Sequence, residues 1–133
     1  MPVHKDEIVG GVIVNRNKVL IARRMEGDED EFLWEFPGGR IECDETPEFA
    51  LQRELREELG LDIEVKEKIC ELNTGERMFY FYFAISKNDI DRLSSHQEIK
   101  WVNVQELSDF KFCEPDQEVL AKIIQYLKGV KIC

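Results

Sequence analysis

Between Gly39 and Leu61 the chain reads GRIECDETPEFALQRELREELGL, which sets out Gly39-x5-Glu45-x7-Arg53-Glu54-Leu55-x-Glu57-Glu58-x-Gly60-Leu61. The segment Pro47–Leu59 is predicted to be a helix. Thr46 suits the N-cap, proline suits the first helical position, and Gly60 suits the stop. Leu51, Leu55 and Leu59 recur every four residues and make an apolar stripe for a core. Glu54, Glu57 and Glu58 stand at i, i+3 and i+4 and so share another face, about a quarter-turn away at about 100° per residue. Like charges at this spacing repel, at a cost of about 0.2–0.5 kcal/mol per pair. A hard divalent cation relieves that repulsion, and Mg²⁺ takes carboxylate, carbonyl and water oxygens, with substrate phosphates completing its shell. The preceding Pro37-Gly38-Gly39 is expected to form a tight loop, because glycine permits backbone angles closed to other residues. A carbonyl of Gly38 or Gly39 beside the helix adds a further oxygen. An acidic helix face is ordinarily a solvated surface, and the residues by themselves leave that reading beside the metal site.

At 133 residues, with 43% apolar content, the chain is long enough for one domain with a real core. No apolar run approaches the length of a membrane span, and the first residues, MPVHKDE, do not read as a signal peptide. A cytoplasmic location and no membrane partner are therefore expected. Cys43, Cys70, Cys113 and Cys133 are scattered without a CxxC pair, and only His4 and His96 accompany them. Reduced thiols are expected, not zinc or disulfides. The net charge of −10 argues against binding polymeric nucleic acid, which needs a basic surface. A small nucleotide remains compatible, since cations and a few local arginines can hold its phosphates.

Elsewhere, Glu7–Val14 and Lys18–Ala22 read as a hairpin across Asn15-Arg16-Asn17. Met25–Glu31 is an acidic surface loop. Strands are predicted over Leu61–Leu72, the aromatic run Arg77–Ser86, and Ile99–Val104. Val119, Leu120, Ile123, Ile124 and Leu127 give Pro115–Leu127 the spacing of a second amphipathic helix. These elements make an α/β fold, a mixed β-sheet sandwiched between α-helices.

The spacing from Gly39 to Leu61 resembles, without substitution, the signature of the Nudix hydrolases, which cleave nucleoside diphosphates linked to another group. Leu33-Trp34-Glu35-Phe36-Pro37-Gly38-Gly39 before it and Glu45-Thr46-Pro47 within it are similar to the MutT branch, which includes 8-oxo-dGTP diphosphatases and CTP pyrophosphohydrolases. The resemblance implies one Nudix domain over residues 1–133, acting as monomer or homodimer. It implies a nucleoside triphosphate substrate, Mg²⁺ or Mn²⁺, water attack on the β-phosphorus, and release of a nucleoside monophosphate with pyrophosphate. Glu57 and Glu58 match the family's principal metal ligands, Glu54 a ligand or base, and the Gly38 carbonyl a further ligand. Glu45 and Arg53 match an ion pair that braces the loop against the helix. Arg24 matches an arginine that contacts the nucleotide, as its planar donors suit phosphate; a solvated strand-end arginine is the other reading. Phe36 and Asp116 are the remaining candidates for contact with substrate. Asp116 matches an Asn or Asp that reads the base edge, and it also suits the ordinary role of an acidic residue near a helix start.

In one place the chain departs from that pattern. Many relatives carry a glutamate six residues before the tryptophan that matches Trp101, where it binds metal or serves as base; here Ser95 stands in that place. Glu98 as a substitute, or Glu54 acting alone, are the alternatives, and His96 reads as a loop residue. Phe79, Tyr80, Phe81, Tyr82 and Phe83 alternate between two faces of their strand. One face is expected in the core, and the other free to stack on a base. The reaction expected is hydrolysis of 8-oxo-dGTP, with CTP or a modified dCTP as the alternative substrate. A catalytically silent nucleotide-binding module is the reading from another class, and the retained glutamates speak against it.

Overall fold

The computed structural model describes residues 6–24, 32–92 and 97–130. The expected loop Met25–Glu31 lies outside them, as do His4, Ser95, His96 and Cys133. Seven strands form one mixed sheet: β1 (Asp6–Asn15), β2 (Lys18–Arg24), β3 (Trp34–Glu35), β4 (Gly38–Arg40), β5 (Ile63–Asn73), β6 (Arg77–Ser86) and β7 (Gln97–Asn103). Two α-helices, α1 (Pro47–Leu59) and α2 (Glu114–Gly129), accompany it, with a 3-10 turn at Val104–Asp109.

The hairpin predicted at the start of the chain is present. Asn15 faces Lys18, and Arg16 and Asn17 take φ of 51° and 69°. Positive φ at both central positions is the turn whose twist matches that of the flanking strands. Beyond Val14 and Val19 the strands part. β1 runs parallel to β6 along one edge, while β2 pairs with β7 along its far edge. Into the gap goes the segment Trp34–Arg40, with β3 on β2 and β4 on β1. Strands this short carry no periodicity of their own, and neither was read from the sequence.

Pro37-Gly38-Gly39 is accordingly a correction. Gly38 and Gly39 lie in strand β4 and neither has a positive φ. Their need for glycine is one of space: a Cβ on Gly38 would fall 1.9 Å from the Val9 carbonyl oxygen. Backbone approach, not turn geometry, selects glycine there.

Each face of the sheet is covered. On one, Ala50, Leu51, Leu55 and Leu59 of α1 are buried against Val9, Ile13, Leu20 and Tyr82. Fully burying a leucine side chain stabilises by about 1.5–3 kcal/mol, so this stripe fixes α1 to the sheet. On the other, Val119, Leu120, Ile123 and Leu127 of α2 pack with Val12, Ile21, Phe79, Phe81 and Phe83. The arrangement is the predicted α/β sandwich. The aromatic run behaves differently from expectation: Phe81, Phe83 and Tyr82 are buried, although they point to opposite faces. Both faces are core because a helix lies on each, and neither is a free stacking surface along its length.

Helix α1 ends as its sequence dictates. Thr46 Oγ1 accepts the Phe49 N–H at 3.1 Å, and Gly60 adopts φ 62°. A Cβ at Gly60 would fall 1.7 Å from Asp91 Oδ1, so the left-handed cap and a close neighbour both require glycine.

Candidate active site

Strand β4 lays its peptide groups beside α1. The Gly11 N–H donates to the Pro37 carbonyl at 2.7 Å, and the Ile41 N–H donates to the Glu7 carbonyl at 2.8 Å. Hydrogen-bonding positions alternate along an antiparallel strand, so Gly38 and Arg40 turn their peptide groups away from β1. The Arg40 carbonyl shows where that edge leads, for it accepts from Arg53 Nη2 of α1 at 3.1 Å. The Gly38 carbonyl leaves β4 on the same edge.

Arg53 gathers the acidic groups around it. Its Nε and Nη2 donate to the two carboxylate oxygens of Glu45 at 2.6 and 2.9 Å, a bidentate pair. Nη1 reaches Glu54 at 3.2 Å and Glu57 at 3.4 Å. Glu45 Oε1 also accepts the Glu42 N–H at 2.8 Å, which ties the loop before α1 to the same carboxylate. The Arg53 side chain holds the Glu45 carboxyl below the usual carboxylate range, helped by the Glu42 N–H; Glu45 in turn raises the pKa of Arg53.

The three helix glutamates differ in setting. The Glu54 side chain is 15% exposed and lies over Gly39, while the Glu57 side chain is 61% exposed. A Cβ on Gly39 would come within 2.4 Å of the Glu54 Cδ. Among the described residues no three histidine, cysteine or acidic side chains are gathered into a metal-holding group. Arg53 draws Glu54 and Glu57 to itself. The donors near β4 and α1 are nonetheless all oxygen, from Glu54, Glu57, Glu58 and the Gly38 carbonyl. That is the chemistry of a hard divalent cation with an incomplete protein shell, which leaves positions for water and phosphate. Glu98 faces Arg23 across β2 and β7 and pairs with it at 3.2 Å, which commits its carboxylate away from α1.

A pocket of about 330 Å³ opens beside β4, and Arg24, Phe36, Gly38, Gly39 and Asp116 all line it. The candidate substrate residues, far apart in sequence, thus meet one another and the glycines beneath Glu54. Glu45, Arg53, Glu54, Glu57 and Glu58 do not line it; Glu54 meets it only at Gly39, over which its carboxyl lies. Asp116 is 6% exposed, the one buried charged side chain among the described residues. It belongs to the first turn of α2, and its Oδ2 accepts the Phe36 N–H at 2.8 Å. Burial pushes the Asp116 carboxyl up to about 7, and Glu35 adds to the rise; the Phe36 N–H and Arg24 oppose it. Arg24 pairs with Glu35 at 2.9 Å. The Phe36 ring is stacked on Phe112 with centroids 5.2 Å apart and meets Phe81 edge-on at 6.4 Å.

Sequence reasoning missed Arg40, Arg77 and Cys113, which also line the pocket. Arg77 arrives there because β6 runs parallel to β1 and sets it opposite Asp6. A parallel pairing between strands so far apart leaves no local signal.

Known proteins resemble this chain over most of its length. The NUDIX domain family matches residues 4–123. A Mycobacterium tuberculosis relative, provisionally named 8-oxo-dGTP diphosphatase 2, is 34% identical over 92% of this chain and 90% of its own length. The CTP pyrophosphohydrolase of Escherichia coli is 30% identical, over 86% of this chain and 87% of its own. Among solved structures, a MutT from work on Aliivibrio salmonicida and Vibrio cholerae superposes with a TM-score of 0.76. It is 26% identical and covers 90% of this chain and 96% of its own. Fold, signature and family match all meet on the same residues, and the chain belongs to the Nudix hydrolases.

Proposed function

We propose that the protein is a Mg²⁺-dependent nucleoside triphosphate pyrophosphohydrolase that acts on 8-oxo-dGTP, releasing 8-oxo-dGMP and pyrophosphate. The observation that carries this reading is Asp116, a buried carboxyl in an aromatic-walled pocket lined by Gly39, the glycine over which Glu54 lies. One of its oxygens already holds the Phe36 N–H. With its pKa near 7, the other can accept a base N–H when ionised or donate when protonated. The edge of 8-oxoguanine offers both donors and acceptors to such a group. Arg24 and Arg77 at the rim supply planar cations for the sugar–phosphate side.

Nudix hydrolases generally use divalent metal ions. Glu57, Glu58 and the Gly38 carbonyl are the groups that would hold Mg²⁺, with Mn²⁺ as a substitute. When bound, the ion supplies Lewis-acid polarisation of the phosphoryl oxygens. Glu54, fixed over Gly39 and steadied by Arg53, takes the proton from the attacking water. The water oxygen joins the β-phosphorus, the bond from that phosphorus to the α–β bridging oxygen breaks, and the nucleoside monophosphate leaves with that oxygen. Arg53 and Glu45 touch no reacting atom in this scheme and position Glu54. The small-molecule substrate is the partner proposed, with no polymeric nucleic acid, and no described helix is long and apolar enough to cross a membrane.

The Escherichia coli relative favours a second reading, hydrolysis of CTP or a modified dCTP, in which ionised Asp116 accepts the cytosine amino group. Pyrophosphate release from 8-oxo-dGTP, dGTP, CTP and dCTP, with and without Mg²⁺, separates the readings. The highest kcat/KM belongs to 8-oxo-dGTP if the first is right. Release of orthophosphate alone, or turnover indifferent to Mg²⁺, would sink both.

A further inference from the structure

We infer that Gly10 sets the depth of the base pocket by letting the ring of Phe81 lie down across β1, and that this depth admits a purine. The inference rests on the nucleotide reading above and assigns to Gly10 a part in choosing among nucleotides. Gly10 stands mid-strand in β1, where a glycine is a weakness, since it packs nothing and costs conformational entropy. Its face of β1 also carries Ile8 and Val12, both packed into the α2-side core, so an apolar side chain would be the ordinary choice at position 10. The parallel register sets Gly10 directly opposite Phe81, and Ile8 opposite Phe79. A Cβ on Gly10 would stand 3.0 Å from Phe81 Cε1, 3.1 Å from Cδ1 and 3.7 Å from the Phe36 carbonyl oxygen. The Phe81 ring therefore occupies the room that a side chain at position 10 would take.

Phe81 has little choice of where to go if that room is filled. Phe79 stacks beside it with ring planes 12° apart, and Phe36 meets it edge-on. All three rings and Gly10 line the same pocket. A side chain at position 10 lifts the Phe81 ring off β1 toward the cavity between Phe36 and Asp116. The cavity loses depth on the side where a two-ring base needs it, and a one-ring base is affected less. Gly10 is thus a positioning residue that acts through Phe81.

The test compares Gly10→Ala and Gly10→Val with wild type, using 8-oxo-dGTP and CTP. One methylene more or less in a tight apolar pocket changes discrimination by about tenfold or more. The ratio of kcat/KM for 8-oxo-dGTP over CTP should therefore fall at least about tenfold in Gly10→Val and less in Gly10→Ala. Adding Phe81→Leu to Gly10→Val removes the lifted ring and should restore most of the ratio. An unchanged ratio, or a ratio that the second substitution fails to restore, overturns the inference. Should wild type turn over neither nucleotide, the proposed function fails on its own. The same ratio, read as Kd for 8-oxo-dGMP against CMP, then decides the role of Gly10.

Discussion

Glu54 and Gly39 share one volume: the carboxyl group of the first lies where a side chain on the second would begin, 2.4 Å from an ideal Cβ. The contact is close because both oxygens of Glu54, at 2.6 and 2.7 Å, as well as its carbon face that point. Gly39→Ala therefore evicts Glu54 from its seat. Because β4 is short and the rest of α1 is held by its leucines, the loss should fall on catalysis: kcat down by about 100-fold or more, as for a displaced acid–base group, with only a small change in Tm. Retained kcat in Gly39→Ala would mean that Glu54 works from another position.

Glu57→Gln keeps the shape of a side chain that is largely in solvent but removes one charged oxygen. The fold should be unchanged by circular dichroism, and the Mg²⁺ concentration for half-maximal activity should rise, since hard cations prefer carboxylate over amide oxygen. Wild-type Mg²⁺ dependence in this variant would remove Glu57 from the site.

Arg53 makes five short polar contacts that reach Arg40, Glu45, Glu54 and Glu57. Lysine has one ammonium and no planar fork, so Arg53→Lys cannot reproduce the bidentate Glu45 contact. Its Tm and kcat should both fall, close to those of Arg53→Ala. The paired Glu45 carboxyl has a lowered pKa, so its contribution is present above the unfolded value of 4.5 and lost as pH falls through the folded one. The Tm difference between wild type and Arg53→Ala should shrink below about pH 4.5; a difference that stays constant into acid would show that the pair does not stabilise the fold.

For Asp116 the sign is reversed. Its folded pKa, about 7, lies above the ordinary value of 3.8, so the folded state holds the proton longer than the unfolded state does. The stability tied to the protonated carboxyl is full below 3.8 and is lost as pH rises through 7. Asp116→Asn, which cannot ionise, should flatten both the decline of Tm between pH 4 and 7 and any inflection near neutral pH in kcat/KM. A kcat/KM profile identical to wild type would separate Asp116 from the base.

Much of this was legible in the sequence because it was local. Helix α1 has the bounds that Pro47, Leu59 and their flanking caps dictate, and the aromatic strand runs from Arg77 to Ser86 as its composition requires. The carboxylates of Glu54, Glu57 and Glu58 are neighbours by helical period alone. What could not be read depends on partners distant in sequence. Gly38 and Gly39 look like turn residues until Val9 and Glu54 are seen against them. Asp116 looks like a helix-end acid until Phe36, 80 positions away, donates to it. Glu98, the alternative to the glutamate whose place Ser95 holds, faces Arg23 across a strand pairing and pairs with it at 3.2 Å.

The segment that fills the parting between β1 and β2 has a consequence for how such an enzyme diversifies. Phe36 offers its N–H to Asp116, and three residues later Gly39 seats Glu54. A trans peptide chain is nearly inextensible, with about 3.8 Å between successive Cα atoms. In the reaction proposed above, residues 36–39 therefore act as a ruler between Asp116 as base reader and Glu54 as proton acceptor. On that proposal, residue changes in the first turn of α2 would alter which base is read, while the ruler would keep the phosphorus of each new nucleotide at the same station.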